Sequence, residues 1–399
     1  MDTKIDDRPF AYFRIFFGIL MGWQLWTVIT TKGLISDFLA SSYFFTYPGF
    51  DWVQPLSTSA MQAIAYLMFV AAVCFALGFL YRLSTAILLA GYSYIFLLDQ
   101  TLFFQQFYLM LLLLFLLFWI PANSTLSIDS IRTKVDKPKM WHLYALRFQI
   151  AVVYIFAGLF KLNSDWFAGQ PIQTWLPEFP EYAIWTLVYG GVLFNLFIIP
   201  ILLYRKTNTM GLILVCIFHL ANEVLFNIAA FPWLMLAATV LFFYPQPTRN
   251  EQQVTSNGTL KRLCIIYIAI QILVPLRVFL YPGNSSWTEE GRKFSWQMML
   301  RYKEIEFQMY AVNPNTEERS NIDLRKYLNE YQATIMQRDP TLTAQFARWV
   351  STQYDPPAAI YAQTLVAFNG RAPQDLIDTT MDLAKTTQRI LPATWIKAL

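Results

Sequence analysis

FQIAVVYIFAGLFKLNSDW, residues 148–166, is an apolar run that ends on a single lysine, Lys161, with Asn163, Asp165 and Trp166 directly behind it. The run reads as a membrane helix. An ammonium at the end of such a helix is costly unless it snorkels to water, finds a partner or loses its proton. Lysine ordinarily titrates near pH ~10.4, so an amine neutral at pH ~7 needs a depression of roughly 3 units. That is roughly 4 kcal/mol of desolvation or like-charge repulsion, within the range of buried lysines. Position alone leaves two readings open. One is an interfacial anchor, the usual role of a lysine flanking a span. The other is a proton acceptor.

The surrounding composition favours a membrane setting. Of 399 residues, 56% are hydrophobic, 17% aromatic and only 14% charged, and the mean hydropathy is +0.38. These values exclude an ordinary soluble protein. A net charge of +4 is small for this length and gives no reason to expect nucleic acid as a partner. The cysteines, Cys74, Cys216 and Cys264, all fall in hydrophobic segments, so no disulfide is expected in the polar C-terminal part.

Apolar runs of spanning length occupy residues 10–29, 60–80, 83–98, 102–120, 146–160, 183–204, 209–226, 229–244 and 263–280, or about nine spans. The first is expected to remain as a span rather than to be cleaved. With the N-terminus inside, the inner connections carry Lys4, Arg8, Arg82, Arg132, Lys134, Lys137, Lys139, Arg205, Lys206, Arg249, Lys261 and Arg262. The outer ones carry only Lys32 and Lys161, beside Asp37, Asp51, Asp165, Glu178 and Glu181. This asymmetry sets the orientation and puts everything after Leu280 outside. Residues 162–182, with Trp166, Trp175 and three prolines, read as an interfacial or re-entrant segment.

From residue 281 the pattern becomes polar and mixed. Residues 304–310 alternate like a strand, 323–337 and 341–354 have helical periodicity, and 359–368 alternate again before an Asn369-Gly370 turn. The expected architecture is a polytopic α-helical membrane protein, residues 1–280, followed by an extramembrane α+β domain, residues 281–399.

Polar side chains inside the apolar runs are candidate functional groups by default. His219 and Glu223 stand i, i+4 on the seventh run, with Asn222 and Asn227 nearby. They read either as a proton-shuttling pair or as an interhelical hydrogen bond. Asp99, Gln105, Gln106 and Tyr108 form a second cluster, for which a polar turn is the plainer reading. Arg147 reads as an inner anchor and Gln149 as a group entering the bundle. His142 is the only other histidine and is placed on the inner side, so no metal site is expected. A phosphate loop, a Ser-His-Asp spacing and a CxxC are all absent from the sequence, and no repeat suggests a transporter.

Five segments together carry a family resemblance: residues 77–101 (LGFLYRLSTAILLAGYSYIFLLDQT), 146–166 (LRFQIAVVYIFAGLFKLNSDW), 218–226 (FHLANEVLF), 294–301 (FSWQMMLR) and 360–384 (IYAQTLVAFNGRAPQDLIDTTMDLA). In this order they resemble the vitamin K-dependent γ-glutamyl carboxylases and their bacterial relatives. The resemblance implies oxygenation of a reduced naphthoquinone, vitamin K or a menaquinone-type hydroquinone, to its epoxide. The strong base formed on the way takes a γ-proton from a glutamate-containing peptide or protein, and CO2 adds there. O2 and CO2 are then co-substrates, and the lipid bilayer is the setting. The expected location is a bacterial inner membrane, with the N-terminus cytoplasmic and the C-terminal domain extracytoplasmic on the charge asymmetry.

Residue by residue, the resemblance makes Lys161 the catalytic base that deprotonates the hydroquinone, with Asp165 and Trp166 beside it. His219 and Asn222 match in FHLAN and become pocket residues. Gln105, Gln106 and Tyr108 fall at the family's substrate-binding run. Arg82, Asp99, Arg147 and Gln149 match too, as do Trp296, Asn369, Arg371 and Asp378, which read as structural or peptide-facing. One departure is chemical. Where the family has Asn-Asn-His after Leu-Asp-Lys-Thr, this chain has Phe104-Gln105-Gln106 after Leu98-Asp99-Gln100-Thr101. The alternatives are therefore a quinol oxygenase that does not carboxylate, or a non-catalytic maturation or binding protein on the same scaffold.

Overall fold

The computed structural model describes residues 6–243, 258–387 and 392–399. Lys4, Tyr244, Arg249 and the side chain of Lys261 lie outside the described residues.

Among the described residues, nine apolar helices run in chain order: α1 (Arg8–Thr30), α2 (Thr58–Leu77), α3 (Tyr81–Leu98), α4 (Gln105–Trp119), α5 (Met140–Leu159), α6 (Glu181–Leu203), α7 (Asn208–Phe226), α8 (Ala230–Thr239) and α9 (Gly258–Leu276). Seven are long and apolar enough to cross a bilayer; α4 and α8 are shorter. The expected count of about nine is thus approximate. With 15 residues, α4 reaches about 22 Å, short of a ~30 Å hydrocarbon core. It starts late because Asp99 Oδ1 accepts a hydrogen bond from Thr101 N (2.7 Å) and bends the chain into a 3-10 turn, Gln100–Leu102. α8 starts at Ala230, where expected, after Asn227 (φ 47°) and Ala229 (φ 58°) turn the chain, and is short because it passes into a 3-10 turn at Val240–Phe242.

The first two helices pack through small residues. A Cβ on Gly18 would lie 2.7 Å from the Cβ of Ala76, and one on Gly22 4.0 Å from that of Ala72. This small-xxx-small seam lets the backbones close, which matters in lipid because apolar side chains gain little from leaving it. Gly18→Leu is expected to overpack the seam and destabilise the bundle by about 1–3 kcal/mol, read as a lowered Tm of the detergent-solubilised chain. An unchanged Tm would show that the seam yields.

Near the other end of α1, the buried Arg14 donates to the carbonyls of Ala122 and Leu126. The Asp129 carboxylate accepts from Leu80 N and Tyr81 N, both at 3.0 Å, and so caps α3 from a distant loop. Residues 162–182, expected to be interfacial, form two short helices, Ser164–Phe167 and Gln170–Trp175.

The C-terminal part is an antiparallel sheet, β1 (Lys303–Val312), β2 (Arg319–Asn321), β3 (Ala359–Phe368) and β4 (Gln374–Asp375), in the order β2-β1-β3-β4. Strands β1 and β3 pair along their whole length, from Lys303↔Phe368 to Val312↔Ala359. Ile360, Ala362, Thr364, Val366 and Phe368 alternate into the core. There Met336 of α10 (Glu330–Arg338) and Phe346 and Val350 of α11 (Pro340–Ser351) join the same cluster. The helix expected from residue 323 starts at Glu330 because Asn329 and Gln332 form a capping box.

This domain is bolted to the bundle at Asp99-Gln100-Thr101. The fully buried Asp99 accepts from Gln332 Nε2 (2.7 Å), Phe45 N (3.3 Å) and the Thr101 hydroxyl (2.6 Å). Lys293 Nζ bridges Gln100 Oε1 (2.9 Å) and Asp339 (3.1 Å). Asp99, expected in a polar cluster with Gln105, Gln106 and Tyr108, is therefore a structural hinge pin with its acceptor sites filled.

Candidate active site

Lys161 lies just beyond the end of α5, where Lys161 N bonds back to Gly158 O (3.1 Å). Its side chain does not snorkel; the residue is 5% exposed. Nζ donates to Ala157 O (3.2 Å) and sits 5.0 Å from the Trp166 ring centroid. Among the described residues no carboxylate pairs with it. Burial alone draws its pKa from the ordinary 10.5 to about 8. The cost of keeping a proton there is what the anchor reading lacks.

Trp166 is fixed on two sides. Its backbone N donates to Asn163 Oδ1 and its Nε1 to Val188 O of α6, both at 3.0 Å. The neighbouring Asp165 receives Arg371 in bidentate fashion (Nη1–Oδ2 3.0 Å) and Asn369 Nδ2 (3.1 Å). Burial pushes the Asp165 carboxyl up, but the Arg371 and Asn369 hydrogen bonds and the guanidinium charge outweigh it and hold it below the usual range. Lys161 thus meets Trp166, while the carboxylate of Asp165 turns to Arg371 and Asn369.

The histidine behaves otherwise. His219 Nε2 is 2.8 Å from Tyr154 Oη of α5, not paired with Glu223, whose Oε2 is buried with no hydrogen-bond partner among the described residues. The i, i+4 spacing puts both groups on one face of α7, but helix packing delivers a closer partner from α5. Rings of Tyr154, Phe194, Phe218 and Phe231 surround His219. Tyr154 was not singled out from the sequence. It stands on α5, seven residues before Lys161 in the chain. Asn222 donates to Phe218 O of its own helix (2.7 Å) and makes no bond to Lys161.

A third group lies under the loop after α9. Trp296, fully buried, stacks on Tyr108 (5.0 Å between centroids), and Phe294 meets the same tyrosine edge-on at 4.9 Å. Phe294 (φ 67°), Trp296 (φ 63°) and Met299 (φ 59°) all hold left-handed backbone. Such conformations cost about 1–2 kcal/mol each and persist only when the surroundings impose them. Past this loop Met299 and Leu300 pack with Trp166 and Phe160, so it leads from Tyr108 toward Lys161.

Polar atoms here go unused. Trp296 Nε1, Gln271 Oε1, Gln149 Nε2 and Gln105 Oε1 are buried with no hydrogen-bond partner among the described residues. Gln271 faces Tyr108, and Gln149 Oε1 accepts from Tyr267 (2.6 Å). Orphaned donors and acceptors in an apolar surround suit a ligand that carries both kinds of polar group on a flat ring. Gln106 is half-buried at the start of α4, and neither it nor Gln105 touches the lysine. Arg147, expected as an inner anchor, is buried two turns inside α5 and donates to Leu241 O (2.9 Å). The reason is that α5 begins at Met140, well before the apolar run.

Among the described residues no group of three or more His, Cys, Asp or Glu side chains stands ready to hold a metal ion. Compared with known families, residues 3–246 match the HTTM domain, and residues 256–399 match the vitamin K-dependent gamma-carboxylase, lumenal domain. No solved structure matches the chain.

Proposed function

The chain belongs to the vitamin K-dependent γ-carboxylase family, and on that premise we propose that it is a membrane enzyme in which Lys161 removes a proton from a reduced naphthoquinone. One observation carries the reading. Among the described residues the buried Lys161 amine has no acidic partner and is held by Ala157 O and the face of Trp166. When bound, the quinol supplies the reducing equivalents that, with O2, yield the base strong enough for a glutamyl γ-proton.

Lys161 accepts the hydroxyl proton as a neutral amine. The Trp166 face then steadies the ammonium that results, a cation–π contact of about 1–2 kcal/mol in a dry site. Trp296, Gln271 and Gln149 offer the unpaired polar atoms for the head group. The region after Leu280 is proposed as a separate domain that presents a glutamate-containing segment, and the lipid bilayer delivers the quinol.

The test is a pH profile. Because the neutral amine is the working form, activity rises with pH through about 8 and levels above it. At pH 7 about a tenth of the amine is neutral. Initial rates of epoxide formation at low quinol concentration check this; a profile flat from pH 6 to 9 rejects Lys161 as the base.

The basic connections support an orientation with the 123–140 loop inside and the residues after Leu280 outside. In sealed cells, Ser285→Cys is expected to react with an impermeant thiol reagent and Ser130→Cys is not. The reverse pattern rejects the orientation. A second reading, quinol oxygenation without carboxylation, is favoured by one observation, the Phe104-Gln105-Gln106 run in place of the family's Asn-Asn-His.

A further inference from the structure

We propose that Arg371 and Asn369 are positioning residues for Lys161: through Asp165 the C-terminal domain holds Trp166 against the amine. The proposal rests on the reading of Lys161 as the base. Asp165 and Trp166 share a helix of only four residues, Ser164–Phe167. One turn cannot hold itself, since nucleation fixes several dihedrals for one hydrogen bond. Its geometry must come from tertiary bonds, and those on Asp165 come from the C-terminal domain.

Asn369 shows how that hold is built. It sits at φ 48°, followed by Gly370 at φ 77°, so β3 turns sharply at its end. Its Oδ1 accepts from Tyr302 N (2.7 Å), while its Nδ2 reaches Asp165 (3.1 Å) and Leu300 O (3.3 Å). One buried side chain therefore ties the end of β3, the start of β1 and the Trp166 turn together. A Cβ on Gly370 would lie 2.6 Å from Gln170 Oε1, so the turn also presses on the helix Gln170–Trp175. From the bundle side, Gly191 leaves room for the Trp166 ring, 3.3 Å from where its Cβ would be. Trp166 is gripped between α6 and the C-terminal domain, and Lys161 meets its face.

Arg371 itself keeps 41% of its side-chain surface, whereas Asp165 keeps 9%. Removing the arginine leaves a mostly buried carboxylate with one amide partner, and the turn is expected to swing outward to hydrate it. Trp166 would leave the amine and water would reach Lys161.

The experiment uses the full chain in nanodiscs with a menaquinone-type hydroquinone and compares Arg371→Ala, Arg371→Gln and Arg371→Lys. In the first two, kcat for epoxide formation is expected to fall at least tenfold with KM for the quinol within threefold, as misplacement of a catalytic group predicts. A second readout does not need turnover. Labelling of Lys161 by an amine-reactive reagent, measured by mass spectrometry against the exposed Lys137, is expected to rise at least threefold in the Ala and Gln variants and to return toward the unaltered value in Arg371→Lys. Should Arg371→Ala fail to fold, the Gln variant carries the same comparison. Labelling and kcat within twofold of the unaltered chain in both variants overturn the proposal. If Lys161→Ala keeps its activity, the base reading fails instead, and the labelling comparison still reports whether the domain contact shields the amine.

Discussion

Lys161→Ala is expected to abolish epoxide formation while the protein stays folded and membrane-embedded. Catalysis by a positioned base is worth roughly 10²–10⁴-fold, and among the described residues the contacts of Lys161 Nζ are Ala157 O and the Trp166 ring, neither of which can replace it as a base. Small primary amines, which fit the space left by the side chain, are expected to restore part of the rate. Lys161→Arg should be as inactive as the alanine variant, because a guanidinium does not give up its proton near neutral pH.

Stability should move the other way. With a folded-state pKa near 8 against 10.5 for the ordinary side chain, the buried amine costs the fold about 3 kcal/mol at neutral pH. The sign follows from a depressed lysine: the unfolded chain binds the proton more tightly, so this cost is largest below pH 8 and fades as pH rises toward 10.5. Lys161→Met is therefore expected to raise the Tm at pH 7 and to raise it less at pH 10. A dead variant that is also more stable identifies a group kept for chemistry; an anchor would show the opposite. Full epoxide production by Lys161→Ala would remove Lys161 from the mechanism.

The helices were legible because length and apolarity alone specify a span. Their ends were less so. α4 begins at Gln105 rather than near 102 because Asp99 bends the chain, and Asp99 is held in turn by Gln332, 233 residues away. The same limit governs the site. Lys161 and Trp166 are local in sequence, so their meeting could be read from one stretch. The partner of His219 could not, because i, i+4 spacing gives the face of a helix but not its rotation in the bundle. Tyr154 reaches His219 from 65 residues away, and Arg371 reaches Asp165 from 206. Asn369 and Arg371 matched the family pattern, yet nothing in the chain order pointed them at the turn that carries Trp166.

Asn-Asn-His at residues 104–106 is expected to raise the amount of carboxyglutamate made per epoxide. Proton removal from the quinol and capture of CO2 at a glutamyl carbon are separable steps. The first needs Lys161. The second needs groups that stabilise a developing carboxylate and keep water away. Imidazole can donate a hydrogen bond or, protonated, supply charge, whereas Gln106 is a neutral amide. Charge-assisted bonds are roughly twice as strong as neutral ones, so losing one costs a few kcal/mol, or roughly 10²-fold in that step alone. The structure makes the triple replacement benign for folding. Phe104 is the N-cap of α4, 42% exposed, with no side-chain bond to the helix. Asn is among the best N-caps, so Phe104→Asn is expected to add about 1 kcal/mol of stability. Gln105 Oε1 is buried without a partner, and Gln105→Asn shortens a side chain that makes no bond there. The expected result is that the unaltered chain yields more epoxide than fixed CO2, and that Phe104→Asn/Gln105→Asn/Gln106→His narrows the gap. Chromatographic epoxide beside labelled CO2 fixed into a glutamyl peptide gives the ratio. One-to-one coupling in the unaltered chain would mean that the glutamines suffice and that the missing histidine does not decide the outcome.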